Sequence, residues 1–374
     1  MTPPAVSTGL ELKGINYDVG TSYGDTPTRV SWHLDDVRRD LRTIRDDLHC
    51  TAVNLYGTDI CRLTQAARIA RETGLSVWLQ PRLIDQRQDD VLAHLAEAAV
   101  AAEQVRRVHG DVVLNVGCEL TVFAAGIIPG RGYNERSARL TRPQWWPALP
   151  WFSHQLNRLL ARACDAARAE FAGPLSYSAG LWERVDWRRF DLIGLNYYRL
   201  KYNRRRYAQR LRRYHRHGKQ VVITEFGCGS FDGAAELGPA SHAIVQYGPA
   251  GPTLAPGYTR NEQEQADYLA ELLATYRSVG VHGAFVFEFV EPYKPHSTDP
   301  GLDLDMAGYG IVKVRAGPPG EPIQWEPKAA FTEIARIYQE SVLPPASQVV
   351  VQAANDQEVN EGAREQGASR CVRS

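Results

Sequence analysis

The sequence predicts a single (β/α)₈ barrel. Short apolar runs alternate with amphipathic helical patterns along the chain, and eight such runs can be counted. Most of these runs lack the alternation of a half-exposed strand, which is typical of parallel strands that are buried on both faces. The chain has 374 residues, a length that suits one barrel with insertions.

The eight predicted strands are rich in β-branched and aromatic residues. They comprise residues 14–17, 52–56, 75–80, 112–118, 175–178, 192–196, 221–224 and 283–289. Helices are predicted between them, because apolar residues recur there at spacings of three or four. The predicted helices comprise residues 34–48, 58–73, 91–109, 151–171, 262–279 and 328–338, with shorter segments at 182–187 and 203–217. An open doubly wound sheet is the alternative, but no Gly-rich phosphate turn follows any predicted strand.

Three connections are longer than plain loops. They comprise residues 120–143, 226–261 and 290–327, and they follow the fourth, seventh and eighth strands. We therefore expect them at the C-terminal end of the barrel, where barrel enzymes place their active sites. The domain prediction is an N-terminal extension over 1–10, a barrel over 11–343, and a polar tail over 344–374 that lacks aromatic residues and is expected to be disordered.

Composition excludes several classes of partner. The chain has 43 basic and 43 acidic side chains, so its zero net charge gives no indication of a polyanionic partner. The Arg-rich run at 203–219 is more typical of a solvated outer helix than of a nucleic-acid site. No run approaches the roughly 20 apolar residues of a membrane span. Because no signal-like segment begins the chain, we expect a cytoplasmic protein. The histidines form no metal-binding pattern, so neither a metal nor a cofactor is predicted.

Two glutamates follow predicted strands and carry the functional prediction. Glu119 ends the fourth strand, in VVLNVGCEL, and Glu225 ends the seventh, in VVITEFGCGS. Carboxyl groups at these places face each other across the mouth of a closed barrel. Cleavage of a glycoside needs such a pair, one acid and one carboxylate, and mutual proximity with burial keeps the acid protonated. The alternative is that each glutamate is a partner in a structural ion pair.

Three segments add a resemblance to a known family. ITEFG at 223–227, IGLNYY at 193–198 and WEPKAAF at 325–331 resemble sequences of the clan-A glycoside hydrolases, over about residues 11–340. The resemblance implies a (β/α)₈ fold, with Glu225 as the nucleophile and Glu119 as the acid/base. It also implies that the hydroxyl of Tyr198 or Tyr197 donates a hydrogen bond to the nucleophile.

The chain departs from that family at three places. Cys118, a weak donor, stands before Glu119 where the family usually has an Asn that binds the sugar 2-hydroxyl. The family usually has an Arg near the end of strand two, where this chain offers Asn54 and Tyr56. The Trp usual at strand eight is replaced by FVFEFVEP, which contains Phe287, Glu288 and Glu291.

The predicted function is a retaining glycoside hydrolase or transglycosidase that acts on a small intracellular glycoside. A catalytically lapsed sugar-binding or regulatory barrel is one alternative, and a sugar lyase or epimerase with the same glutamate pair is another. The predicted substrate-binding residues are Asn16, Tyr17, Asp18, Asn54, Tyr56, Cys118, Asn196, Tyr197, Tyr198, Phe287, Glu288 and Glu291.

Overall fold

The computed structural model describes residues 10–340, apart from 24–25, 250 and 319. Eight parallel strands close into one barrel, in which each strand pairs with its neighbours along the chain and the eighth pairs with the first. The barrel strands are β1 (Leu12–Gly20), β2 (Ala52–Gly57), β3 (Ser76–Pro81), β4 (Val112–Cys118), β5 (Leu175–Ala179), β6 (Ile193–Asn196), β7 (Val221–Phe226) and β8 (Gly283–Val286). The predicted (β/α)₈ barrel is confirmed, and the alternative of an open sheet is wrong.

The helical segments between β5 and β7 differ from those that the sequence predicts. The described residues contain the α-helices α1 (Leu34–Asp46), α2 (Ile60–Glu72), α3 (Gln88–His109), α4 (Leu120–Phe123), α5 (Tyr133–Leu140), α6 (Leu149–Glu170), α7 (Tyr207–Arg212), α8 (Ala234–Leu237), α9 (Glu262–Val279) and α10 (Ala329–Glu340). The helix predicted over 203–217 is broken, because 3₁₀ turns flank the six-residue α7 on both sides. The helix predicted over 182–187 is absent from the described chain, which instead has a 3₁₀ turn at Trp187–Arg189.

The three long connections carry secondary structure of their own. The first contains α4 and α5, and the second contains α8 and a hairpin of Val245–Gly248 with Gly251–Leu254. The third contains a hairpin of Val312–Val314 with Trp325–Pro327. All three leave the carboxyl ends of parallel strands, so they lie together at one end of the closed barrel. That end is the mouth in which both glutamates are found.

Apolar rings fill the opposite end of the barrel. Trp78 and Phe285 are fully buried, and their ring centroids lie 5.3 Å apart. Asn16 lies above them, and its Nδ2 donates to the carbonyl oxygens of Thr224, Phe285 and Val286 at 2.9, 3.3 and 3.2 Å. The amide of Asn16 therefore cross-links β1, β7 and β8 inside the barrel.

The parts of the chain outside the described residues include most of the predicted N-terminal extension and the whole predicted tail, 344–374. Among the helices that are described, none combines the length and the apolar character needed to cross a bilayer.

We predict that Asn16→Ala lowers the free energy of unfolding by about 2–4 kcal/mol, because three buried carbonyl groups and the amide of Asn54 lose a partner. Denaturation by urea, followed by circular dichroism, measures the change. Asn134→Ala is the control, since Asn134 is exposed on α5 and its replacement should change stability by less than about 0.5 kcal/mol. Equal effects of the two substitutions would contradict this account of Asn16.

Candidate active site

Glu119 has an unusual backbone conformation. It follows β4 directly and stands before the first residue of α4, with φ 40° and ψ 45° in the left-handed region. Its N–H donates to the carbonyl of Ser178 at 3.0 Å, and its own carbonyl accepts from Val122 and Phe123. This backbone conformation costs a non-glycine residue about 1–3 kcal/mol, so it persists only where the surrounding structure holds it.

The carboxyl group of Glu119 is set up as an acid. Asn196 Nδ2 donates to its Oε1 at 3.0 Å. Burial and the nearby charge of Glu225 raise the pKa of Glu119 to about 8, against the opposing effects of Asn196 and Arg82. Glu119 is therefore mostly protonated at neutral pH, as a general acid must be.

Glu225 is the last residue but one of β7, and its carboxyl group is surrounded by donors. Its side chain is buried, and Arg82 Nη2 donates to its Oε1 at 2.6 Å. Cys118 Sγ lies 3.5 Å from the same oxygen, and the hydroxyl of Tyr198 donates to Oε2 at 3.2 Å. A guanidinium and a phenol therefore both donate hydrogen bonds to one carboxyl group.

Arg82 was missed by the sequence analysis. It follows β3 directly, and its guanidinium lies over the ring of Tyr56 at 4.1 Å from the centroid. It contacts Glu225 and Gln80, and Nη1 donates to the hydroxyl of Tyr23 at 3.3 Å. The sequence analysis noted that strand two ends without the arginine usual in the family, and in the structure an arginine follows strand three instead. A charged residue directly after a buried strand was the available signal.

The β8 side of the mouth holds further carboxyl groups. Glu288 is buried, and its Oε2 accepts from the hydroxyl of Tyr56 at 2.6 Å. Burial, followed by the charges of Glu291 and Asp18, raises the pKa of Glu288 well above its usual value. Burial also raises the pKa of Asp18, whose Oδ1 accepts from the N–H of Gly20 at 2.8 Å. These acids add hydrogen-bonding capacity next to Tyr56.

Aromatic rings from the three connections that follow β1, β4 and β8 form part of the rim. Phe287 stacks on Tyr56 with centroids 5.8 Å apart, and the Phe287–Glu288 peptide bond is cis. Tyr133 packs against Tyr23 at 5.7 Å and against Phe123 at 5.0 Å. No pattern in the sequence indicated the rim positions of Tyr23 and Tyr133, since both lie in connections without periodicity.

Tyr17 and Tyr197 do not line the mouth, and their prediction as substrate-binding residues is wrong. Successive side chains of a strand point to opposite faces, so Tyr17, next to the inward Asn16, faces the helices. Its hydroxyl donates to Asp40 on α1 at 2.9 Å. The hydroxyl of Tyr197 donates to the carbonyl of Tyr207 at 3.0 Å, on the outside of the barrel. Tyr198 is therefore the member of the tyrosine pair that contacts Glu225.

Asn16, Asn54 and Glu291 are also removed from the predicted set. Asn54 Nδ2 donates to Asn16 Oδ1 at 2.6 Å, and both side chains are fully buried within the barrel. Glu291 is engaged by its own loop, since it accepts from Lys294 Nζ at 3.0 Å and from the backbone N–H groups of Tyr309 and Gly310. These contacts engage both oxygens of Glu291 and the amide nitrogens of Asn16 and Asn54, while burial separates the two asparagines from the mouth.

Cys118 and Asn196 connect the two glutamates. Asn196 Nδ2 lies 3.0 Å from Glu119 Oε1 and 3.2 Å from Cys118 Sγ, while Thr224 Oγ1 donates to Asn196 Oδ1 at 2.9 Å. Burial raises the pKa of the Cys118 thiol well above its usual value, so the sulfur stays protonated. In the part of the chain that the structure describes, acidic, Cys and His side chains do not gather into a metal-binding group.

Comparisons with known proteins agree with this architecture. No family model matches the chain, and no curated protein sequence matches it. Solved structures do match. A GH113 β-mannanase from Alicyclobacillus acidocaldarius aligns with a TM-score of 0.53 at 17% identity, over 89% of this chain and 98% of that one. A family 1 β-glucosidase from Thermotoga maritima aligns with a TM-score of 0.52 at 11% identity, over 88% and 96%.

A larger enzyme shares the same barrel. A β-glucuronidase of Bacteroides uniformis aligns with a TM-score of 0.52 at 14% identity, over 81% of this chain but 33% of that one. The chain therefore matches a third of the glucuronidase and nearly the whole of the mannanase and the glucosidase. At these identities the likeness shows the fold. The protein has the glycosidase-like (β/α)₈ barrel that its sequence motifs resemble.

We predict that replacing Glu225 changes the titration of Glu119. The negative charge of Glu225 contributes to the raised pKa of Glu119, so in Glu225→Gln the Glu119 carboxyl should titrate at a lower pH than in the wild type. Carbon-13 NMR of protein labelled at the glutamate carboxyl carbons measures this without a substrate, and Glu119→Gln assigns the signal. An unchanged midpoint would show that the two groups do not interact.

Proposed function

We propose that the protein is a retaining glycoside hydrolase or transglycosidase that acts on a small intracellular glycoside. The observation that carries the proposal is the asymmetry of the glutamate pair. Glu119 has a pKa of about 8, whereas Glu225 accepts hydrogen bonds from Arg82 and Tyr198. An acid with a raised pKa beside a carboxyl group that accepts hydrogen bonds from a guanidinium and a phenol is the arrangement that acid and nucleophile roles require.

The proposed reaction proceeds by two displacements. A carboxylate oxygen of Glu225 attacks the anomeric carbon as the bond to the leaving oxygen breaks, and Glu119 transfers its proton to that oxygen. Water, or an acceptor hydroxyl in transglycosylation, then attacks the glycosyl-enzyme ester. Glu119, now ionised, takes the proton of the attacking group, and Glu225 is released as a carboxylate. This sequence retains the anomeric configuration.

The neighbouring residues have distinct roles in this proposal. Arg82 and Tyr198 orient the carboxylate of Glu225 so that one oxygen faces the sugar, while Asn196 orients the acid of Glu119. Glu288 and Asp18 remain candidates to bind sugar hydroxyls on the β8 side. The thiol of Cys118 is a weak donor, so we expect weak hydrogen bonding to the part of the sugar next to it.

The second candidate is a sugar-binding barrel without turnover, and Cys118 is the observation that favours it. A panel of aryl glycosides that differ in the sugar distinguishes the two functions. Release of the aryl group supports the enzyme. Saturable binding of a sugar, measured by calorimetry and without release from its glycoside, supports the binding protein.

For a substrate found in that panel, Glu225→Ala should lower kcat by at least about 10³-fold, because no nucleophile remains. Azide should restore activity by attacking from the vacated face, and the product should be a glycosyl azide of inverted configuration. Proton NMR of the products reads the anomer. The wild type should give a retained product and no azide adduct. An inverted product from the wild type would refute the double displacement.

Glu119→Ala should discriminate between leaving groups. Glycosides of acidic phenols need little protonation, so their kcat/KM should fall by less than about 10-fold, while alkyl glycosides should lose about 10²–10⁴-fold. Initial rates across a series of phenols of graded pKa give the slope of this dependence. An equal loss for all leaving groups would show that Glu119 is not the acid.

A further inference from the structure

Another buried glutamate, Glu183, contacts the first turn of α4. Glu183 follows β5 and is 6% exposed. Its Oε1 accepts from the hydroxyl of Thr121 at 2.6 Å and from the N–H of Thr121 at 3.1 Å. Its Oε2 accepts from the hydroxyl of Tyr177 at 2.8 Å and from the N–H of Gly180 at 3.0 Å. Four donors from three parts of the chain thus converge on one carboxyl group.

Two of these four donors, the hydroxyl and the N–H, belong to Thr121, which lies two residues after Glu119. Thr121 belongs to the first turn of α4, and Leu120, which precedes it, donates its N–H to the hydroxyl of Tyr177 at 2.8 Å. Tyr177 in turn donates to Glu183. Glu183 therefore satisfies the N–H of Thr121 directly and that of Leu120 through Tyr177. Both groups would otherwise lack partners at the start of a helix.

The backbone of Glu119 explains why this turn needs to be held. Its left-handed conformation is unfavourable for a residue with a side chain, by about 1–3 kcal/mol. If the turn were released, Glu119 could return to the extended region, and its carboxyl group would leave the mouth. The contacts of Glu183 are made to the turn and not to the carboxyl group of Glu119, so they act on its backbone.

We propose that Glu183 is a positioning residue for the acid/base step, because it fixes the first turn of α4 through Thr121 and Tyr177 and so holds Glu119 in its left-handed conformation. This inference rests on the proposed function for its effect on catalysis. Its effect on Glu119 itself can be measured without a substrate.

The charge of Glu183 also acts on Glu119, because a nearby negative charge opposes ionisation of the Glu119 carboxyl and contributes to its raised pKa. It is one of several groups that face Glu119 from the surrounding elements. These groups are Arg82, Cys118, Tyr133, Glu183, Asn196, Tyr198 and Glu225. Replacing Glu183 alone leaves the other six in place, so a change in the Glu119 titration can be assigned.

The test is Glu183→Gln, whose amide presents donors where the carboxylate accepted hydrogen bonds. We expect kcat for alkyl glycosides to fall by about 10–100-fold, with KM and the rates on acidic phenol glycosides changed by less than about 3-fold, because only the protonation step is disturbed. The basic limb of the pH profile should move to lower pH. Thr121→Val should show a smaller loss of the same kind, and Thr121→Ser, which restores the hydroxyl, should recover the wild-type rates.

Glu103→Gln is the matched control. Glu103 is also buried and accepts hydrogen bonds from Arg106, Arg107 and the N–H of Ala172, but it lies on α3 away from the mouth. Glu103→Gln should lower stability to urea, and any effect on the hydrolysis rates should be the same for all leaving groups. If Glu183→Gln lowers all rates equally, in proportion to the unfolded fraction, the positioning role is refuted.

The carbon-13 titration of Glu119 separates this inference from the proposed function. If the wild type hydrolyses no glycoside, the proposed function fails, but the Glu119 signal of Glu183→Gln should still titrate at a lower pH than that of the wild type. An unchanged signal would overturn the role of Glu183 whether or not a substrate is known.

Discussion

Burying several carboxyl groups at one end of the barrel is the constraint on which the arrangement of the mouth depends. Asp18, Glu119, Glu225 and Glu288 all come from strand ends that meet there, and an ionised carboxylate out of water is costly without a partner. The buried guanidinium of Arg82 contacts Glu225. The pKa values of the other three acids are raised, with burial as the largest cause. The position of Arg82 therefore distinguishes Glu225 from the other acids, because Glu225 contacts the guanidinium and the other three carboxyl groups have raised pKa values.

The same constraint explains which parts of the site could be predicted. Strand-ending glutamates are visible in the sequence, since a buried apolar run stops at a charged residue, and Glu119 and Glu225 both follow that rule. Arg82 also comes directly after a buried strand, following Gln80 and Pro81 at the end of β3. The family resemblance, however, concerns an arginine at strand two. Tyr17 and Tyr197 were misassigned because the ends of strands were treated as uniformly facing the mouth, although side chains alternate there. Glu183 ends no strand, and only its contacts reveal it.

The barrel itself was predictable for a different reason. Parallel strands buried on both faces tolerate many combinations of apolar residues, so the pattern of eight runs survives where identity does not. The matched enzymes share 11–17% of their residues with this chain and still align over most of it. The segment 203–217 failed as a continuous helix because seven of its fifteen residues are arginines and few are apolar. Tyr207 and Leu211 are the buried side chains of α7, which is too little apolar surface to support four helical turns.

Cys118 is the residue that most favours a lapsed enzyme, and its surroundings argue against that conclusion. A barrel released from catalysis is free to replace the left-handed Glu119 and its buried acids, each of which lowers stability. This chain has both features, and it also has the contacts of Arg82 and Tyr198 to the carboxyl group of Glu225. An amide also remains beside the pair, because Asn196 reaches both Glu119 and the sulfur of Cys118 from β6. Under the proposed function, the thiol would weaken one contact to the sugar while Glu119 and Glu225 keep their partners, which favours a different sugar over a lost reaction.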